Sequence, residues 1–207
     1  ARVEENTDLH IPKIQEVASI EGKWAIVSEF IKGKTFAQMM QENPDKKEEY
    51  LHQFVDLQMQ IHEKHVPLLN RLREKLDRQI EQADLDATAR YDLHARLESM
   101  PRHKKLCHGD FNPSNIIVTE DGTPYILDWS HATQGNASAD AATTYLLFAL
   151  KDQKLADMYM TMFCDMSDIA KQYVQRWLPI TAASRLGKNI PEEKELLEKW
   201  LDVVEYE

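Results

Sequence analysis

Asp110, Asn115 and Asp128 are of the types, and at the spacing, that could do chemistry together. Asp110 stands in the run His108-Gly109-Asp110-Phe111-Asn112-Pro113-Ser114-Asn115. An apolar triplet, Ile116-Ile117-Val118, follows directly, and a second, Tyr125-Ile126-Leu127, comes after Glu120-Asp121-Gly122-Thr123. Asp-Gly between two β-rich runs predicts a tight hairpin. Its open end should bring Asn115, at the start of the first strand, back beside Asp128, just past the second. Gly109 lets backbone pass close to the aspartate, and Pro113 stiffens the loop. A carboxylate able to accept a proton, set beside hard oxygen ligands for a divalent cation, is what phosphoryl transfer from ATP to a hydroxyl asks of a protein.

Each residue alone has a plainer reading. Asp110 could be a turn or cap residue, Asn115 a strand-start residue and Asp128 a strand-end turn. All three plain readings would have to hold at once for the combined pattern to mean nothing. For His108 the expectation is a packed, hydrogen-bonded structural role, and for Cys107 a small buried residue instead of a reactive thiol. His131 could face either solvent or a substrate.

The elements that must position these residues are legible on both sides. Residues 12–17 and 24–30 are short β-rich runs around Glu21-Gly22-Lys23, which predicts a first hairpin. Gly33 ends the second run, and Thr35 with Gln38 forms a capping-box pattern. Asn43, Pro44 and Asp45 predict a capped helix whose buried stripe is Leu51, Phe54, Val55, Gln58 and Ile61. Residues 68–80 and 90–97 continue as amphipathic helix. After the central hairpin, Ser138 is expected to cap a helix running to Leu150. Ile169, Tyr173, Val174, Trp177 and Leu178 form a further helical face that Pro179 should interrupt. Pro191 opens a last helix with Leu197, Trp200, Leu201 and Val204 inward. Strands at the front, a long helical body and one central hairpin make the fold class α+β, not a βαβ sheet.

Composition narrows the function. The chain has 207 residues, enough for one domain or a large lobe, with 43% hydrophobic and 29% charged residues. No apolar run approaches the ~20 residues of a membrane helix. The formal net charge of −10 argues against nucleic-acid binding and is compatible with a cationic small-molecule substrate. The acidic tail, Asp202, Glu205 and Glu207, could attract an amine, although a solvated end is the simpler expectation. Cys107 and Cys164 form no ligand spacing, which suits buried thiols in a reducing cytoplasm. Ala1-Arg2-Val3-Glu4-Glu5 reads as the tail of a helix, so further residues are expected before Ala1.

His-Gly-Asp-Phe-Asn-Pro-Ser-Asn followed by Ile-Leu-Asp-Trp resembles the signature of the aminoglycoside phosphotransferase and choline kinase-like enzymes, relatives of the protein kinases. The resemblance spans residues from about Ile11 onward, and residues 107–140 carry its specific motifs. It implies Asp110 as catalytic base, with Asn115 and Asp128 as Mg²⁺ ligands. It also implies that backbone at Glu29, Phe30 and Ile31 faces the adenine of ATP, and that Asp140 supports the catalytic loop without reacting. The implied fold is protein-kinase-like: residues 1–31 would hold the last strands of an N-terminal lobe and the hinge. Residues 32–207 would form a mostly helical C-terminal lobe around a catalytic β-hairpin. The implied acceptor is a small molecule with a hydroxyl group. In the family, a glycine-rich phosphate loop and a strand Lys paired with a helix Glu lie upstream of the segment resembling residues 11–30, and this sequence shows neither. Two rivals follow: a non-catalytic nucleotide-binding scaffold, and a metal-dependent hydrolase using Asp110, Asp128 and His108.

Overall fold

The computed structural model describes residues 1–201. The positions Asp202, Val204, Glu205 and Glu207 discussed above lie outside the described residues. Along the chain run α1 (Arg2–Asn6), β1 (Ile14–Ile20), β2 (Lys23–Ser28), β3 (Lys34–Thr35), α2 (Phe36–Glu42) and α3 (Lys47–Glu63). There follow α4 (Leu72–Gln82), α5 (Ala87–Ser99), β4 (Lys105–Cys107), β5 (Ile116–Val118), β6 (Pro124–Ile126) and β7 (Thr133–Gly135). The chain continues through α6 (Ala137–Ala149), α7 (Gln153–Ser167), α8 (Lys171–Gln175), α9 (Leu178–Leu186) and α10 (Pro191–Lys199).

Both predicted hairpins form. β1 and β2 pair antiparallel through a two-residue turn in which Glu21 and Gly22 both take positive φ, 51° and 76°, the twist-matched geometry for such a connection. Val17, Ile20, Trp24 and Ile26 of this hairpin are exposed. The second hairpin, β5–β6, pairs Ile116 with Ile126 and Ile117 with Tyr125. β3 adds to its other edge, with Lys34 opposite Val118. Gly33 is required there, since a Cβ at that position would stand 2.2 Å from the Val118 carbonyl oxygen.

The helical body packs around α3, α6, α7 and α9. Leu51, Phe54, Val55, Gln58 and Ile61 are fully buried, as their spacing predicts. Phe54 stacks at 4.4 Å against Phe111 beside the catalytic loop. A buried polar chain crosses the same region. Tyr159 donates to Gln58 Oε1 (2.6 Å), Gln58 donates to Thr144 (3.0 Å), and Thr144 donates to the Phe111 carbonyl (3.0 Å). Every member has a partner, which a buried polar group needs.

Several boundaries differ from the sequence reading. The Thr35–Gln38 capping box is present. Asn43, by contrast, turns its amide back to the Met39 carbonyl and caps nothing, while Pro44–Lys46 form a 3-10 turn before α3. Residues 68–71 stay outside the helix because Leu68 takes φ 60° and is exposed, so α4 begins at Leu72. Asn136, not Ser138, caps α6 by accepting from the Ser138 amide. Pro179 interrupts the helical face by starting a new helix, α9. The pairing of β4 with β7 was not foreseen, because each strand is only three residues long.

Candidate active site

The catalytic loop lies between β4 and β5, held from below by Asp140 at the start of α6. Asp140 is buried, and its carboxylate accepts from three donors: the His62 ring (3.0 Å), the His108 amide (3.1 Å) and the Gly109 amide (2.7 Å). Burial would raise this carboxyl, but the His62 hydrogen bond and charge, with the other donors, outweigh it and hold the group below the ordinary Asp value. Asp140 thus fixes two consecutive backbone amides immediately before Asp110.

His108 is fully buried and spans the loop. Its Nε2 faces the Leu127 carbonyl at 2.9 Å, and its Nδ1 accepts from the Asp110 amide at 3.3 Å. This pattern is that of the neutral ring with its proton on Nε2, and burial lowers its basicity further. With both nitrogens engaged, His108 has none to offer a metal. Among the described residues no group of three or more His, Cys, Asp and Glu is arranged to hold a metal ion. The hydrolase rival loses its third ligand.

Asp110 is oriented by two side-chain amides. Asn115 Nδ2 donates to its carbonyl (2.9 Å) and to Oδ2 (3.1 Å). Asn112 Nδ2 donates to the same carbonyl (3.0 Å) and, more weakly, to Oδ2 at 3.4 Å. Asn112 is itself pinned because its Oδ1 accepts from the Ser114 amide at 3.0 Å. The two amides converge on one carboxylate oxygen and leave Oδ1 of Asp110 for an incoming group.

The hairpin brings Asn115 and Asp128 to one end. The Leu127 amide donates to the Asn115 carbonyl at 2.8 Å, so the residue just before Asp128 is bonded to Asn115. Asp128 takes a left-handed backbone, φ 53°, that turns the chain sharply away from β6. Its Oδ1 accepts from the Ser130 hydroxyl (2.5 Å) and amide (3.4 Å), and the hydroxyl bond keeps the carboxyl below its ordinary value despite partial burial. The donor set fits Mg²⁺. Asn115 spends its amide hydrogens on Asp110, which presents its own Oδ1 outward, and Asp128 Oδ2 lies opposite Ser130. Two hard oxygens, with the rest of the shell left to phosphates and water, is how this cation is usually held.

The segment expected to meet adenine follows β2. The Glu29 amide donates to the Lys13 carbonyl at 2.8 Å, Phe30 is exposed, and Ile31 is buried. β3, three residues on, ties this segment to β5 and so to the strand that begins beside Asn115.

A model of the phosphotransferase enzyme family matches residues 5–178, most of the chain and the whole of this site. The chain belongs to the phosphotransferase enzyme family. Solved structures share its architecture. Choline kinase LicA from Streptococcus pneumoniae superposes with a TM-score of 0.63 at 14% identity, over 93% of this chain and 75% of that one. A thermostable mutant of aminoglycoside phosphotransferase APH(4)-Ia in its apo form gives 0.66 at 16% identity, over 94% and 76%. A ternary complex of that enzyme with ADP and hygromycin B gives 0.66 at 16% identity, over 93% and 74%. No curated protein sequence matches the chain. The phosphotransferase therefore has the α+β, kinase-like fold expected from its motifs. No helix among the described residues is long and apolar enough to cross a membrane.

Several residues of the phosphotransferase site carried no signal of their own in the sequence. Asn112 and Ser130 lie within the motif and two residues beyond it, where an Asx or Ser turn could have been expected. His62, Lys75 and Lys188 come from α3, from α4 and from just past α9, and only the fold brings them to the loop. Lys75 Nζ donates to the His131 carbonyl at 3.1 Å.

Proposed function

We propose that this phosphotransferase is an ATP- and Mg²⁺-dependent small-molecule kinase that transfers the γ-phosphoryl group to an acceptor hydroxyl, with Asp110 as base. The observation that carries this reading is the placement of Asp110: two amides hold one carboxylate oxygen and the loop backbone is clamped by Asp140, which leaves the other oxygen positioned to receive a proton. Residues 1–31 serve in this reading as part of an N-terminal lobe and hinge, with backbone at Glu29, Phe30 and Ile31 against adenine. Residues 32–207 serve as the catalytic lobe.

Asn115 and Asp128 would hold the metal through their free side-chain oxygens. Bound there, Mg²⁺ would neutralise charge on the nucleotide phosphates. Asp110 orients the acceptor hydroxyl and takes its proton as the oxygen attacks the γ-phosphorus in line. A new P–O bond forms, the bond to the bridging oxygen breaks, and ADP departs with the electron pair. Asn115 has a second duty, since the amide that orients Asp110 belongs to the same side chain that faces the metal. Base and metal positions are thereby tied to one another.

Support for ATP comes from the ADP and hygromycin B complex of APH(4)-Ia, a protein of the same fold. The test is Mg²⁺-dependent ADP release by the full-length protein over a panel of hydroxyl acceptors, with Asp110→Asn as control. Acceptor-stimulated release that vanishes in the variant is expected. Equal release by the variant would remove Asp110 from the base role.

A further inference from the structure

A cavity adjoins the catalytic loop between α4 and α9, lined by Leu72, Lys75, Gln79, Gly109, Ser184 and Lys188 among others. Its charge is unusual for a protein with a net charge of −10. Lys75 comes from the middle of α4 and Lys188 from the loop just past Gly187, the C-cap of α9. Neither lysine has a carboxylate within ion-pairing distance among the described residues. Lys75 spends one of its three donors on the neutral carbonyl of His131 at 3.1 Å. Its Nζ stands 3.3 Å from where a side chain on Gly109 would begin, directly beside Asp110. The absence of a Cβ at Gly109 is what lets the ammonium approach.

Other charges on the cavity wall are already matched. Arg185 forms a double hydrogen bond with Glu193, 2.6 Å on each side. Asp140 is saturated by His62 and two amides. Burial and then mutual repulsion lower Lys75, while burial and then Arg185 lower Lys188; Asp110 acts in the opposite sense on both. Two lysines without counter-ions, beside the proposed base, leave a local field opposite in sign to the whole molecule's. An anion placed between them would relieve the repulsion and satisfy their free donors.

We propose that the acceptor of this enzyme carries an anionic group, a carboxylate or a phosphate, held by Lys75 and Lys188 while its hydroxyl faces Asp110. This rests on the kinase reading above and adds the charge class of the substrate to it. The acidic composition pointed to a cationic acceptor. The cavity points the other way, because binding is decided by the charges within a few ångströms and not by the total.

The experiment has two arms on the full-length protein. In the first, Mg²⁺-dependent ADP release is followed with glycerate and 4-hydroxybutyrate, with glycerol 3-phosphate and ribose 5-phosphate, and with choline, ethanolamine and kanamycin. Stimulation by members of the first or second group, and not the third, is expected, and which of the two responds distinguishes carboxylate from phosphate. Lys75→Met and Lys188→Met should each raise KM for that acceptor by about tenfold or more, with KM for ATP within about twofold. Lys75→Arg should recover much of the loss, which a merely structural role would not require. In the second arm, thermal unfolding is followed with each compound alone, and the responding anion should raise Tm in the wild type but not in the lysine variants.

Stimulation by the cationic acceptors alone would leave the kinase reading standing and overturn the anionic assignment. Lysine variants that raise KM for ATP but not for the acceptor would assign the lysines to the nucleotide phosphates and overturn it equally. Absence of both turnover and stabilisation with every anion also overturns it. In that case stabilisation by Mg·ATP alone tells whether the kinase reading survives.

Discussion

Asn115 donates its side-chain amide to both the carbonyl and the carboxylate of Asp110, at 2.9 and 3.1 Å, while its own backbone carbonyl accepts from Leu127, the neighbour of Asp128. One side chain at the start of β5 therefore connects the proposed base to the proposed metal position. Asn115→Ala should lower kcat by about 10²-fold, because Asp110 loses its better-placed orienting donor. The same substitution should raise the Mg²⁺ concentration needed for half-maximal rate. Steady-state kinetics against Mg²⁺ check both, and a change in one without the other would separate the two duties.

Asp110→Asn should reduce turnover by about 10²–10⁴-fold while leaving the fold intact, since an amide cannot accept the hydroxyl proton but has the same shape. Stabilisation by Mg·ATP in thermal unfolding should persist in this variant.

Asp128→Asn should weaken nucleotide binding only when Mg²⁺ is present. Binding titrations with and without chelator read this directly. An Mg²⁺ dependence identical to the wild type would undo the ligand assignment.

Asp140→Ala should destabilise the protein by about 3–5 kcal/mol, because the His62 ring and two buried amides lose their shared acceptor. The sign of the pH effect follows from the lowered folded-state pKa. The wild-type stabilisation from this group is present above the ordinary Asp value of 3.8 and disappears as pH falls below it, through the folded-state value. Denaturant titrations at neutral and acid pH should show the difference between wild type and Asp140→Asn shrinking in acid.

Gly109→Ala should be costly twice over. The backbone there has φ +80°, which charges an L side chain about 1–2 kcal/mol, and the new Cβ would stand 2.7 Å from the His131 carbonyl oxygen. Loss of activity larger than the fall in Tm would imply is expected, because relief of the clash displaces the residue next to Asp110.

The sequence by itself determined the catalytic loop, its hairpin and the fold class. All three are local: an Asp-Gly turn, two apolar triplets and a loop motif lie within a short stretch, so spacing alone predicts who meets whom. The stripe from Leu51 to Ile61 was equally legible, since one face of a helix repeats at fixed spacing. Element ends were less so. Asn43 and Ser138 both have cap chemistry, but Asn43 satisfies a carbonyl behind it and Asn136 takes the cap two residues earlier. β4 and β7 form because each finds the other across the fold, and three residues hold too little pattern to announce a strand.

Tertiary structure alone decided what surrounds the proposed base. His62 reaches Asp140 from α3, Lys75 reaches the loop from α4, and Lys188 arrives from the end of α9. Residues so far apart in sequence have no spacing that could disclose their meeting. Net charge is a sum over the chain, whereas the field felt by a substrate falls off within about 10 Å. The composition could therefore give only the molecule's acidity, and the packing of α4 against α9 set the sign of the charge beside Asp110.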